Sequence, residues 1–261
     1  MEVKQFKVGT MKLEIHASKR AAGSAAARAA AETLKELEQA RKEIGVIFAT
    51  GASQLEMLHA LTSMPDLPWK KVHGFHLDEY LGIDENHPAS FRRYLRENLT
   101  ERVPMGGFFA IDGSSSDSDR VRQKYVQELN AADPQLCLLG IGENGHLAFN
   151  DPSEANFSDP DAMKVVTLDT ACRQQQLAEG WFGKFEDVPE RALTLTIPTM
   201  LKVPKLIVSV PGSRKAQSVR RTLADPISTE CPATILRLHP DVTIYLDQES
   251  ASALNGFVPS H

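Results

Sequence analysis

The chain is poor in cysteine and in long apolar runs, and both shortages exclude classes of protein. Its three cysteines, Cys137, Cys172 and Cys231, are an odd number without CxxC spacing, which favours reduced thiols over a disulfide framework. No apolar stretch approaches the roughly 20 residues of a membrane span. The N-terminal segment "MEVKQFKVGTMKLEIHAS" lacks the apolar core of a signal peptide. We therefore expect a cytoplasmic protein without a membrane partner.

Positive charge is also in short supply. The 29 Lys and Arg residues are outnumbered by 34 Asp and Glu, which gives a formal charge of −5 and a pI near 5.9. A surface that binds nucleic acid is usually basic, so a nucleic-acid partner is not expected. The positive charge that a small phosphorylated ligand needs can still be local.

Short β-branched segments alternate with helical ones along the chain. Strands are predicted in "MKLEIHAS" (residues 11–18), "IGVIFATG" (44–51), "VHGFHLDEY" (72–80), "QLCLLGIG" (135–142), "KLIVSV" (205–210) and "DVTIYLD" (241–247), and an alanine-rich helix at residues 19–41. This alternation is typical of an α/β fold with a mostly parallel sheet and helices on both faces. The chain has no internal repeat and no break in composition, so residues 1–261 are predicted to form a single domain.

Ligands of such a sheet bind outside the carboxyl ends of its strands, where helices begin. The turn in "FATGASQLEML" contains Thr50, Gly51, Ala52 and Ser53. Free backbone N–H groups and the helix dipole make it a candidate phosphate cradle, and Ser53 either adds a hydroxyl or caps the helix. An ordinary β–α turn is the alternative. The spacing matches neither a Walker loop nor GxGxxG, which disfavours a nucleotide.

A second turn of small residues lies in "SVPGSRKAQSV", where Gly212 and Ser213 precede Arg214 and Lys215. Cations in a first helical turn oppose the helix dipole, and an anion bridging the turn and Lys215 would offset that cost. A solvated Lys–Arg pair is the alternative interpretation.

The segment "VHGFHLDEY" supplies a candidate acid–base residue. Strand periodicity places His76 and Asp78 on one face, and Leu77 and Glu79 on the other. His76 and Asp78 have no third partner at metal-ligand spacing, so a metal site is disfavoured. A carboxylate at the carboxyl end of a strand suits a general base. The alternative is a capping or salt-bridged acid.

The stretch "LGIGENGHLAFNDP" (residues 139–152) leaves a buried strand through closely spaced glycines, which let the backbone turn sharply. His146 lies in this turn between Asn144 and Asp151. Histidine titrates near neutrality, and a carboxylate partner fixes its tautomer and raises its basicity. We therefore predict a catalytic histidine. The glycine spacing is not that of a dinucleotide loop.

These segments resemble the glucosamine-6-phosphate deaminase family, whose relatives include the 6-phosphogluconolactonases. The matching motifs, in family order, are "TGAS", "LDEYLG", "HPASF", "LGIGENGHLAFNDP", "VPERALTLTI", "PGSRKA" and "CPATILRLHP". The resemblance implies a Rossmann-like, mostly parallel sheet with helices on both faces, of the sugar-phosphate isomerase superfamily type. It also implies an enzyme that uses no metal or other cofactor and converts an aminosugar phosphate to a ketose phosphate plus ammonia.

The resemblance also implies residue roles. Asp78 aligns with the base that moves a proton between sugar C1 and C2, and His146 with the histidine that opens the pyranose ring. The phosphate binders align with Gly51, Ala52, Ser53 and Lys215. We further expect Thr50, Glu79 and Gly145 at the substrate site, and Asn144 and Asp151 beside the catalytic histidine.

Three positions depart from the family pattern. Asn144 replaces an acid, and Asp151 replaces a longer glutamate, which predicts that the histidine is less basic or is oriented by other groups. Gln176 stands where the family often has an arginine that clamps the phosphate. Arg173, about one helical turn earlier, is the candidate substitute, since a guanidinium binds phosphate bidentately. A surface arginine is the alternative.

Two other functions fit parts of the sequence. One is a sugar-phosphate lactonase, and the other is a sensor that keeps the phosphate turns but has lost the chemistry. The pair Asp78 and His146 argues against the sensor, which needs neither. The hexosamine epimer and the oligomeric state, including a homo-oligomer, stay open. The segment "SEANFSDPDAMK" does not clearly match the effector site of some family members.

Overall fold

Eleven strands and seven α-helices are present in the computed structural model, which describes residues 3–254. The strands are β1 (Lys4–Val8), β2 (Met11–His16), β3 (Ile44–Phe48), β4 (Val72–His76), β5 (Asp78–Tyr80), β6 (Gly107–Phe108), β7 (Leu136–Leu139), β8 (Met163–Thr167), β9 (Arg191–Leu195), β10 (Lys205–Val210) and β11 (Val242–Asp247). The helices are α1 (Lys19–Ala40), α2 (Leu55–Thr62), α3 (Phe91–Leu95), α4 (Ser118–Ala132), α5 (Thr170–Ala178), α6 (Ile197–Leu201) and α7 (Ala216–Ala224).

The main sheet has eight strands in the order β1-β2-β11-β10-β7-β3-β4-β6. Strand β1 is antiparallel to β2, and every other neighbouring pair is parallel. This arrangement confirms the predicted mostly parallel α/β sheet. No helix in residues 3–254 is long and apolar enough to cross a membrane.

Helices cover both faces of the main sheet. On β3, Val46 and Phe48 pack with the buried alanines of α1 and with α2, whereas Ile47 packs on the other face with residues of α4 and α7. The burial of successive residues on opposite faces explains why β3 reads as a continuous apolar run. Helix α1 was predicted at residues 19–41 and is observed at Lys19–Ala40, with Ser18 as its N-cap accepting a hydrogen bond from the Ala21 N–H at 3.2 Å.

The strand predicted at residues 72–80 is broken, and this prediction was wrong. Leu77 separates β4, in the main sheet, from β5, which pairs with β9 in a second sheet of order β5-β9-β8. His76 and Asp78 therefore do not share a face of one sheet. His76 is a core residue: its Nε2 accepts a hydrogen bond from the Ile111 N–H at 2.8 Å. Burial lowers the pKa of His76 to about 3.

Glu79 explains why the chain leaves the main sheet at this point. Its fully buried carboxylate accepts hydrogen bonds from Ser90 Oγ at 2.9 Å and from the N–H groups of Phe91 and Arg92 at 3.2 and 3.0 Å. It also lies 3.4 Å from Nε of Arg92. Glu79 thus anchors β5 to the first turn of α3, because these N–H groups have no partner within the helix.

Candidate active site

One cleft lies at the carboxyl edge of the main sheet, beside its central strand β7. The segments that follow β3, β4, β7 and β10 all reach this edge. An open α/β sheet binds its ligands there. The cleft is lined by Ala49, Thr50, Gly51, Ala52, Ser53, Leu77, Asp78, Phe91, Gly140, Ile141, Gly142, His146, Ala148, Phe149, Gln175, Gln176, Glu179 and Lys215.

The turn between β3 and α2 presents unused hydrogen-bond donors to the cleft. Gly51 has a φ of +94°, which favours glycine. Among the hydrogen bonds of residues 3–254, none uses the N–H of Gly51, Ala52 or Ser53. The N-cap of α2 is Gln54, which makes no side-chain capping hydrogen bond. Ser53 therefore does not cap the helix, which was the alternative interpretation. These N–H groups and the start of α2 form a site suited to an anion.

Lys215 adds a positive charge to the same end of the cleft. It is the last residue of a 3₁₀ turn that precedes α7, and only 7% of its surface is exposed. Burial lowers its pKa, an effect that the negative charges of Glu179 and Glu143 oppose. Arg214 is half exposed instead, with its Nε 3.2 Å from Glu143 Oε1. Of the two cations predicted in this turn, Lys215 lines the cleft and Arg214 forms a surface ion pair.

Asp78 also lines the cleft, immediately after the break at Leu77. Burial raises its pKa well above the ordinary aspartate value, and the negative charge of Glu79 next to it adds to the effect. A carboxylate that binds a proton this readily is a stronger base when it is ionised.

His146 lines the cleft with its imidazole backed by Asp151. Nδ1 lies 2.9 Å from Asp151 Oδ1. Nδ1 is thereby directed at the carboxylate, and Nε2 is the ring nitrogen left for a ligand. The shorter aspartate therefore reaches the histidine.

Asn144 positions Asp151 rather than the imidazole. Its Nδ2 donates to Asp151 Oδ1 at 2.9 Å, and its Oδ1 accepts from the His146 N–H at 3.0 Å. Burial raises the pKa of Asp151. The hydrogen bond and charge of His146, with hydrogen bonds from Asn144 and Cys172, outweigh that effect and lower the pKa overall. Asp151 is thus held as an anion behind the histidine.

Two glycines of the loop make room for this arrangement. A Cβ on Gly142 would lie 2.2 Å from Nε2 of His146, so the imidazole packs directly on the glycine backbone. Gly145 has a φ of +90°, and a Cβ there would lie 2.5 Å from Sγ of Cys231. Gly142 of "GIGENG" thus makes room for the imidazole of His146, a side chain of the same loop.

Four predicted site residues do not line the cleft. Glu79 is used in the anchor of α3, Gly145 packs on Cys231, and Asn144 and Asp151 lie behind His146. A fifth, Arg173, also lies outside the cleft lining.

Arg173 is not brought to the phosphate end of the cleft. Its Nη2 donates to the carbonyl oxygens of Phe185 and Val188 at 3.2 and 2.8 Å, and its guanidinium lies 4.2 Å from the centroid of the Phe185 ring. The guanidinium therefore ties α5 to the segment after it. Gln176, where an arginine was expected, does line the cleft.

Several cleft residues were not predicted, and Glu179 is the most unexpected. Its Oε1 accepts a hydrogen bond from Gln175 Nε2 at 2.9 Å and its Oε2 one from Trp181 Nε1 at 3.1 Å. The segment that carries it, just after α5, has no strand–turn–helix pattern. Glu179 is recognised as a cleft residue only from the structure, in which this segment lies at the cleft.

Comparisons with known proteins show the family of this chain. Residues 17–245 match the family model described as glucosamine-6-phosphate isomerases/6-phosphogluconolactonase. A glucosamine-6-phosphate deaminase of Bacillus cereus (strain B4264) is 33% identical over 226 residues, 87% of this chain and 84% of that protein. One from Listeria monocytogenes serotype 4a (strain HCC23) is 34% identical over 207 residues, 79% of this chain and 86% of the relative.

Solved structures show the same fold. A monomeric glucosamine-6-phosphate deaminase superposes with a TM-score of 0.84 at 29% identity, covering 92% of this chain and 99% of that one. The 6-phosphogluconolactonase of Thermotoga maritima gives a TM-score of 0.74 at 19% identity, over 91% and 99% of the two chains.

The fold and the cleft are those of an α/β enzyme of the superfamily to which these two structures belong. The chain itself belongs to the family of glucosamine-6-phosphate isomerases and 6-phosphogluconolactonases.

Proposed function

We propose that this chain is an isomerising aminosugar-phosphate deaminase that converts glucosamine 6-phosphate to fructose 6-phosphate and ammonia. One observation carries the proposal: Asp78, a buried base, and His146 line the same cleft as the anion-binding turn at Gly51 and Lys215. The relatives named as glucosamine-6-phosphate deaminases, at 33% and 34% identity, support this substrate.

Binding places the phosphate at the turn of Thr50, Gly51, Ala52 and Ser53, with Lys215 neutralising part of its charge. Hydrogen bonds from backbone N–H groups to a phosphate are short and strong because the acceptor is charged. The sugar then extends toward the part of the cleft that is lined by Asp78 and His146. Positioning of this kind converts proton transfers into intramolecular steps.

His146 opens the pyranose ring, with Nε2 carrying a proton between O1 and the ring oxygen O5. Asp151 holds the tautomer that leaves Nε2 available, and Asn144 holds Asp151. Asp78 next removes the proton from C2; the electron pair of that C–H bond forms the C1=C2 double bond of an enolamine, and the π pair of the C1 carbonyl moves to O1, which takes up a proton from solvent. The same carboxyl group returns the proton to C1, which leaves an imine at C2. Water adds to the imine, ammonia leaves, and the ketose phosphate remains.

The proposal is tested by incubating the purified chain with glucosamine 6-phosphate and measuring both products. We expect ammonia and fructose 6-phosphate in equal amounts. Opening of 6-phosphogluconolactone without release of ammonia from the aminosugar would instead support the lactonase. Saturable binding without turnover would support the sensor. Galactosamine 6-phosphate, run in parallel, determines the epimer.

Asp78→Asn separates chemistry from binding. The amide keeps the size of the side chain but is not a base, and we expect kcat to fall by roughly 1,000-fold or more. Asp66→Asn is the matched control, because Asp66 is an exposed aspartate outside the cleft with a φ of 58°, which asparagine tolerates. Activity of Asp78→Asn equal to that of the control would contradict the role of Asp78.

We also propose that the enzyme works in the cytoplasm, in the catabolism of amino sugars and the utilisation of N-acetylglucosamine. The three free cysteines support a reducing compartment. Fractionation of the source cells, followed by assay of each fraction for ammonia release, tests the location. Activity confined to a secreted or membrane fraction would contradict it.

A further inference from the structure

A carboxylate lies at the end of the cleft where the phosphate is expected. Glu179 lines the cleft together with the anion-binding turn and Lys215. A methyl group at Gly51 would lie 3.9 Å from Oε2 of Glu179, so the acid faces the centre of the turn. A negative charge in this place repels a dianionic ligand, and nothing in the proposed reaction requires it.

Glu179 is fixed in this place by its neighbours. Gln175, one turn earlier on α5, holds Oε1, and the indole N–H of Trp181 holds Oε2. The indole also packs at 80° against the ring of Tyr94, whose hydroxyl donates to the Gly51 carbonyl at 2.9 Å. A phosphate therefore meets the carboxylate, or displaces it at the cost of two hydrogen bonds.

The negative charge of Glu179 also acts on Lys215, which lines the same cleft. Of the acidic groups around Lys215, Glu179 does most to favour the charged form of the ammonium group. Lys215 is buried, and charges interact more strongly in such surroundings than in bulk water. The carboxylate thus offsets the positive charge that a phosphate would otherwise meet.

We propose that Glu179 is an affinity-determining residue of the phosphate subsite: it competes with the substrate phosphate for Lys215 and the turn at Gly51, and so weakens binding of the dianion. The proposal rests on the proposed function insofar as the natural ligand is a sugar phosphate. No arginine of the described residues lines the cleft to offset this charge, because Gln176 lines it and Arg173 is engaged with Phe185 and Val188.

The test uses Glu179→Gln, which keeps the size and shape of the side chain and one acceptor oxygen but removes the charge. Glu186→Gln is the matched control, because Glu186 is an exposed glutamate in the next short helix. Each chain is titrated with inorganic phosphate by calorimetry, and kcat/KM is measured for glucosamine 6-phosphate and for unphosphorylated glucosamine.

We expect Glu179→Gln to bind phosphate roughly tenfold more tightly than the wild type and Glu186→Gln. We also expect its kcat/KM to rise for the phosphorylated sugar relative to glucosamine. Phosphate affinity of Glu179→Gln that equals or falls below that of the wild type would overturn the proposal.

The titration separates this inference from the proposed function, since phosphate binding requires no turnover. Tighter phosphate binding in a chain that releases no ammonia would support the role of Glu179 and contradict the deaminase. Ammonia release with unchanged phosphate affinity would contradict the role of Glu179 and leave the deaminase standing.

A second variant, Trp181→Phe, keeps the charge but frees Oε2, and we expect it to tighten phosphate binding by a smaller factor than Glu179→Gln.

Discussion

Asp78 and Asp151 are two buried aspartates at one site whose surroundings push their pKa values in opposite directions. Burial and the neighbouring Glu79 raise the pKa of Asp78. For Asp151, the contacts with His146, Asn144 and Cys172 outweigh burial and lower the pKa. Pairs of carboxyl groups separated in this way commonly divide the acid–base roles of an enzyme. Asp78 is suited to accept and return a proton, and Asp151 to remain an anion.

The raised pKa of Asp78 predicts the acidic limb of the pH–rate profile. The base must be unprotonated to act, so activity falls as the pH drops through its pKa. We expect kcat/KM to begin falling at a pH well above the ordinary aspartate range. The profile is measured with the wild type at constant ionic strength. A limb at the pH of an unperturbed aspartate would show that Asp78 is not the group that limits the rate.

Asp151→Asn tests the support of the histidine. The amide keeps the volume but loses the negative charge facing Nδ1, so the tautomer that leaves Nε2 available is no longer favoured. We expect kcat to fall by roughly 100-fold or more, with little change in KM because Asp151 does not line the cleft. Steady-state kinetics at one pH measures both constants. A large rise in KM at unchanged kcat would contradict the positioning role.

How far the sequence predicts this site differs from residue to residue. Asp78, His146, Lys215 and the turn at Gly51 lie in motifs, and all are found in the cleft. The shorter Asp151 predicted a histidine that is less basic or is oriented by other groups, whereas the bend of the loop at Gly145 brings the Asp151 carboxylate within 2.9 Å of Nδ1. Such a distance depends on backbone geometry that spacing does not specify.

At the scale of elements, the loop after β7 is shaped by the side chain it presents. Its backbone closes on itself, since the Gly142 N–H donates to the His146 carbonyl at 2.9 Å and the Gly145 N–H to the Gly142 carbonyl at 3.1 Å. Asn150 fixes the far end, donating from Nδ2 to the carbonyls of Leu147 and Leu195, each at 2.9 Å. The loop is therefore a rigid support for His146, attached to β9.

Gly142→Ala tests this view of the loop. The added methyl group would overlap the imidazole, at 2.2 Å from Nε2, and must displace the ring. We expect a loss of activity of roughly 100-fold or more, because a small misplacement of a catalytic group has an effect of this size. Gly183→Ala, with no atom within 4 Å of the new Cβ, is the control. Full activity of Gly142→Ala would show that His146 need not pack on this glycine.

Elements were predictable where the polar–apolar pattern was strong. The central strands β3, β7, β10 and β11 and helix α1 lie where the sequence places them, because buried parallel strands are uniformly apolar. The break at Leu77 was not predicted, because it is associated with hydrogen bonds between Glu79 and the first turn of α3. The polar–apolar pattern of a strand does not reveal such contacts with another segment. Strands β8 and β9 were missed as well. With β5 they form a small antiparallel sheet, and of these two strands only β9 lies in a recognised family motif, "VPERALTLTI".

At the scale of the whole molecule, the main sheet brings chemistry from distant segments to one edge. The turn at Gly51, Asp78, His146 and Lys215 come from segments after four different parallel strands. This convergence follows from parallel topology, in which carboxyl ends share an edge. The alternation of strands and helices was therefore sufficient to predict it. Which residues close the cleft, Glu179 among them, was not predictable.

The burial of all three cysteines predicts how the folded molecule responds to thiol reagents. Cys137, Cys172 and Cys231 are each 1% exposed or less. Burial raises the pKa of each thiol, that of Cys137 to about 12. The thiolate is the reactive form, so we expect the native protein to resist iodoacetamide near pH 8 and all three thiols to react after unfolding. Mass spectrometry counts the alkylated sites. Rapid alkylation of the native protein would contradict this burial.

The account depends most on Asp78 and His146 acting together on a phosphorylated aminosugar. Its most direct test is the simultaneous measurement of ammonia and fructose 6-phosphate released from glucosamine 6-phosphate by the wild type, Asp78→Asn and the control Asp66→Asn. We predict equal amounts of the two products from the wild type and the control, and at least a roughly 1,000-fold slower release from Asp78→Asn. Release of both products by Asp78→Asn at the rate of the wild type would contradict the account.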